Sequence, residues 1–126
     1  MTISFDSLKI APIACTSWCK DGDGHPNETG RADQTCWGPH HYVEASTEEV
    51  LAEYDKSTHT WDTYASRLGI SAYRGFNQHP SVYVHINLPA GPTGGVDTSV
   101  RLTADEARQL AAYLIEVADE IGERTD

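Results

Sequence analysis

Cys15, Cys19, His25 and Cys36 follow one another with the spacing C-x3-C-x5-H-x10-C. Thiolate sulfur and imidazole nitrogen are the donors that Zn2+ accepts in tetrahedral structural sites, and four of them make a complete set. Zn2+ is therefore the expected cofactor. His40 and His41, in CWGPHH, lie close enough along the chain to replace Cys36 or His25, which leaves the fourth ligand open. Three thiolates around a dication leave a charge of −1, which the Lys20 ammonium or the backbone amides of the Gly22 and Gly24 turn can offset.

Other chemistry for these residues has less behind it. A redox pair of Cys15 and Cys19 lacks both the C-x-x-C spacing and the strand-to-helix setting that lowers a thiol pKa. A metal-dependent enzyme would use Cys15, Cys19 and His25 as ligands, water in the fourth position, and Glu28 or Asp23 as base. Trp18 and Trp37 each stand next to a cysteine, where they either shield the ion or form a recognition surface. DGDGHPNETGRA begins like a calcium loop with Asp21 and Asp23, but Pro26 and Ala32 occupy the positions that need glycine and glutamate. GPTGG lacks the lysine of a phosphate-binding loop. Asn27-Glu28-Thr29 is a formal glycosylation sequon, with no meaning in a cytoplasmic protein. No catalytic residue is assigned.

What holds these residues has to be built from 126 residues, enough for a single domain over 1–126 with one modest core. Nineteen acidic against nine basic side chains give a net charge of −10, a field that repels phosphate backbones and anionic lipid. The expected partner is a protein rather than nucleic acid or a membrane. An acidic mimic of nucleic acid is a further alternative, if the carboxylates form rows. No apolar run is long enough to span a bilayer, and MTISFDSLKIAPIA lacks the basic and apolar regions of a secretory signal, so the expected compartment is the cytoplasm. There thiols stay reduced, and three of them serve packing, metal or catalysis rather than disulfides.

The clearest element is LTADEARQLAAYLIEVADEIG. Thr103 and Glu106 form a capping box, Ala107, Leu110, Ala111, Leu114, Val117, Ala118 and Ile121 make one apolar stripe, and Gly122 ends the helix. The stripe reads as a core face, with a partner-binding surface as the alternative. SVYVHINL and VDTSVRL alternate as strands and, with the turn formers of PAGPTGG between them, predict an antiparallel hairpin. RLGISAYRGF predicts a third strand and HYVEA a fourth. Ser46 and Glu49 fit a second capping box, predicting a short helix through Val50, Leu51 and Tyr54. From Cys15 to about Gly38 no periodicity exists, and the Gly, Pro, Asp, Asn and Thr there bury too little to offset the entropy of ordering.

The SWC triplet with its nearby histidine, the strand VYVHINL and the segment LTADEARQLAAYL together resemble small proteins of actinobacteria and their phages, over most of the chain. The resemblance implies a small domain with a metal-binding head and brings no activity with it. It supports Cys15, Cys19 and His25 as head positions, and fits histidines near His40 and His41 better than Cys36. It also implies the host cytoplasm if the protein is phage-encoded.

The expected fold is α+β: an antiparallel sheet of three to five strands, a C-terminal helix on one face, and a zinc-stapled N-terminal loop. Residues 1–45 would hold the head and first strand, and 46–126 the sheet and helix. The expected function is a non-catalytic, zinc-stabilised protein-binding or regulatory module.

Overall fold

The computed structural model describes residues 10–26, 28–90 and 95–122. Among these residues, a 3-10 turn (Arg31–Asp33), seven strands and one α-helix follow in chain order. The strands and helix are β1 (Cys36–Trp37), β2 (His41–Glu44), β3 (Leu51–Asp55), β4 (Thr60–Tyr64), β5 (Arg67–Arg74), β6 (Ser81–Leu88), β7 (Val96–Leu102) and α1 (Ala104–Glu120). The main sheet is antiparallel throughout, in the order β1-β5-β6-β7. β2 pairs with the other half of β5, so β1 and β2 share one edge end to end. The expected α+β class holds: antiparallel sheets with one C-terminal helix.

Strand alternation gives the sheet two unlike faces. Tyr73, Tyr83, Ser71, His85, Gly69 and Arg101 share one of them, because the register pairs Ser71 with Tyr83, Gly69 with His85, and Tyr83 with Arg101. Here Trp37 packs edge-on against Tyr73 and Tyr83, with ring centroids 4.7 and 5.0 Å away. Arg67 lies over Tyr42, and His85 pairs with Asp97. The opposite face carries Leu68, Ile70, Val82, Val84, Ile86 and Val100. None of these six is buried.

The segment read as a short helix at Val50, Leu51 and Tyr54 is instead strand β3, paired with β4 in a separate two-stranded ribbon. The turn between them decides this. Asp55 accepts hydrogen bonds from the Ser57 amide (2.9 Å) and hydroxyl (2.6 Å), and His59 adopts φ +56°, which reverses the chain. Tyr54 then faces Trp61 across the ribbon at 5.3 Å, a cross-strand pair with no counterpart in a lone helix. Ser46 and Glu49 cap nothing that follows them.

The C-terminal helix keeps its predicted start: Thr103 Oγ1 accepts from the Glu106 amide and the Glu106 carboxylate accepts from the Thr103 amide. Gly122, with φ +70°, follows Ile121 at its end. Its stripe, however, is not a core face. Within α1 only Ala107 is even half-buried. Thr103 alone separates β7 from α1, and among the described elements the helix meets β6 and β7.

The middle of PAGPTGG and Asn27 of the sequon lie outside the described residues, as does most of MTISFDSLKIAPIA. No described helix is long and apolar enough to cross a membrane. Gln34 and Cys36, both fully buried, sit in the N-terminal head, and so does His25.

Candidate metal centre

Local backbone bonds shape the head. The Cys19 amide donates to Thr16 O (3.2 Å), closing a turn between the first two cysteines, and the Lys20 amide donates to Trp37 O (2.8 Å), tying that turn to β1. The Ile13 amide donates to Gly24 O (2.8 Å). Gly24 has φ +81°, and a Cβ there would lie 2.7 Å from Ile13 O, so glycine alone permits this close approach. His25 is left-handed at φ +50°, held by its amide donating to Asp23 Oδ1 at 3.0 Å. β1, anchored on β5, delivers Cys36.

These constraints bring Cys15, Cys19, His25 and Cys36 together, with one ligand atom from each and all four atoms within 4.8 Å of one another. His25 Nε2 is 3.6 Å from Cys19 Sγ and 3.9 Å from Cys36 Sγ. A tetrahedral zinc with the usual bond lengths separates neighbouring nitrogen and sulfur ligands by about 3.5 Å and sulfurs by about 3.8 Å. The cluster could therefore hold a metal with only small closure. Ring orientation agrees, since Nε2 lies toward the thiols while Nδ1 lies on the side of Asp21 Oδ2, 3.9 Å away, where a carboxylate can help orient a ligating histidine.

Charge around the sulfurs fits thiolate character. The Gly24 amide donates to Cys15 Sγ at 3.3 Å, and Arg74 Nη2 reaches both Cys36 Sγ (3.7 Å) and Ala14 O (2.6 Å). Burial pushes the Cys15 thiol up to about 11, beyond what the Gly24 amide offsets. Burial also acts on Cys36, but the Thr16 amide, the His25 ring and the neighbouring thiols outweigh it and bring Cys36 down to about 6. His25 is raised above its ordinary value, chiefly by its hydrogen bond with Cys36, against the opposing effect of burial. Without metal, Cys36 is thus the thiol of the pair most readily ionised and Cys15 the one held protonated. Thr16 Oγ1 is buried without a hydrogen-bond partner among the described residues.

The alternative ligands go elsewhere. The His40 ring packs between Trp37 (5.5 Å) and Tyr42 (6.2 Å) at a hollow of about 130 Å3 on the aromatic face. His41 is exposed on β2 opposite Ile70. Trp18 is half-buried against the Gly38 backbone, and Trp37 is half-buried among aromatic rings. Asp23, considered as a base, is occupied by the His25 amide. The two residues that sequence reasoning missed are Arg74 and Gln34. Arg74 lies 38 positions beyond Cys36, so only strand pairing reveals its proximity. Gln34 Nε2 donates to Ala11 O (2.7 Å) and His25 O (3.3 Å), inside a segment whose polarity reads as a solvated loop.

Replacing Arg74 with alanine removes the cation nearest a −1 cluster and a bond to the Ala14 carbonyl. Metal affinity is expected to fall about tenfold, with the sheet intact, because outer-sphere partners of metal ligands carry effects of this size. Competition titration against a chromophoric chelator measures it, and unchanged affinity would show that Arg74 does not act on the site.

A family model described as "Domain of unknown function (DUF6907)" matches residues 4–126. No curated protein and no solved structure matches the chain.

Proposed function

The chain belongs to the DUF6907 family, a membership that fixes no activity, and from its own chemistry we propose that it is a non-catalytic protein-binding module whose head is closed by one structural Zn2+. The observation that carries the reading is the ligand count. Cys15, Cys19, His25 and Cys36 could together supply all four ligands of one tetrahedral site, which would leave no position for the water or substrate that a catalytic zinc requires. Bound there, zinc would supply cross-linking between the turn at 15–25 and β1. Arg74 and the Gly24 amide would hold the residual negative charge.

The binding role is supported by surface rather than by a pocket. Tyr54, Trp61 and Tyr64 stand exposed on the β3–β4 ribbon, with Trp61 at 67%. Paired aromatic residues on an isolated ribbon stabilise little by themselves, and aromatic anchors are what protein interfaces favour. The net charge of −10 favours a partner with a basic rim around its contact surface.

Protein purified without added metal is expected to contain one zinc per chain, with its three thiols unreactive until a chelator is added. Metal-free protein with freely reactive thiols would overturn the site. Acidification should release the ion: at pH 7 binding must expel at least the Cys15 proton, so affinity falls about 100-fold or more between pH 7 and pH 5. For the binding half of the reading, a partner captured by the wild type and lost with Trp61→Ser supports the ribbon. Identical capture by both proteins rules it out.

A further inference from the structure

We propose that the protein is a two-fold symmetric dimer in which α1 of each copy lies across the apolar sheet face of the other. The proposal is independent of the metal centre. It starts from two apolar surfaces on one chain that are left open among the described residues. On α1, Leu110, Leu114, Val117 and Ile121 form a continuous stripe and are 42, 62, 53 and 71% exposed. On the sheet, Ile70 and Val100 are 39 and 48% exposed, and they belong to a face on which Val82, Val84 and Ile86 are only half-covered.

A 17-residue helix that meets β6 and β7 but leaves its apolar stripe exposed gains little tertiary support, and helical stability in proteins comes mostly from packing an amphipathic face. An apolar sheet face has the same requirement, and the usual layer that satisfies it is a helix stripe. Among the described residues α1 meets β6 and β7 yet leaves its stripe exposed, next to the end of β7, where a second copy can cover it. The same operation then places the second copy's helix on the first sheet, so both surfaces are covered at once and the assembly closes.

The area is sufficient. The six residues leave on the order of 600 Å2 per chain before their smaller neighbours are included, against about 800 Å2 per partner in a standard-size stable interface. Charge modifies the affinity without reversing it. Asp105, Glu116 and Glu120 lie on the side of α1 away from the stripe, and two chains of −10 repel each other at long range. Salt screens that repulsion while leaving apolar contact in place, so this dimer should tighten as salt rises.

Sedimentation equilibrium on the full zinc-loaded chain is expected to give twice the 13.8 kDa chain mass at micromolar concentration, with the dissociation constant falling several-fold from 50 to 500 mM salt. Leu114→Asp should weaken association at least 100-fold. Ile121→Asp, at the helix C-cap and 71% exposed, provides the same test if Leu114→Asp fails to fold. Retained β-sheet circular dichroism and one bound zinc show that each variant is folded. Mixing Leu114→Cys protein with Val100→Cys protein under mild oxidation should give a covalent heterodimer. A monomer at 100 µM, a dimer weakened by salt, a dimer indifferent to both aspartate variants, or failure of the mixed cross-link would each overturn the proposal.

Discussion

Cys36→Ser is expected to abolish stoichiometric zinc binding and to unfold the head while leaving β5, β6 and β7 paired. Cys36 is the fully buried ligand and the only one delivered by a strand, so it joins the loop ligands to the sheet. Serine keeps the volume roughly and removes the thiolate. In small metal-dependent domains the ion contributes on the order of 10 kcal/mol to folding. The head has little else, since Cys36 is the only buried hydrophobic residue among those described. Zinc affinity should fall by at least about a thousandfold, and proteolysis should cut first between residues 10 and 35. Chelation of the wild type should reproduce that cleavage pattern. A Cys36→Ser protein that kept one zinc and a protected head would show that His40 or His41 can complete the site after all.

Gln34→Ala is expected to destabilise the head by about 2 kcal/mol, because it strands the His25 carbonyl inside the protein and removes one of the two donors to Ala11 O. Gln34 is completely buried, its Nε2 serves Ala11 O and His25 O, and its Oε1 accepts from Arg31 Nη1 at 2.8 Å. Arg31 also donates to Ala11 O at 3.2 Å, so alanine removes the piece that joins strand-side residues to the chain before the first cysteine. The His25 carbonyl loses its donor next to a ligand. Zinc affinity should therefore fall about 10- to 100-fold along with stability. Hydrogen exchange across 10–38 and chelator competition measure the two effects. Gln34→Glu keeps the shape but turns an oxygen toward both carbonyls, and should be no better than alanine. If Gln34→Glu were tolerated, the Nε2 bonds would contribute little.

Some elements were legible because a short pattern fully specifies them. The capping box at Thr103 and Glu106 is complete within four residues, and alternation in SVYVHINL and VDTSVRL identifies strands whatever surrounds them. The β3–β4 ribbon was misread because Ser46 and Glu49 satisfy a helix-start pattern locally. The competing signal, an Asp55 turn that pairs Tyr54 with Trp61, needs both strands at once. The stripe on α1 was read correctly as a stripe, but its burial depends on what the helix packs against.

The four residues of the candidate metal cluster were nameable from the sequence because soft donors in that number and spacing are a recognisable zinc-ligand set. What only the tertiary structure decided is which candidate sits where. β1 pairs with the end of β5 and turns Cys36 toward His25, while the same pairing carries His40 and His41 away along β2. Strand pairing also brings Arg74 to Cys36, and among the described residues it leaves Ile70 and Val100 exposed on the apolar sheet face. Donor chemistry is a property of residue type, and so is written in the sequence. Register, burial and the direction of a helix arise from contacts between distant segments, and no local pattern encodes them.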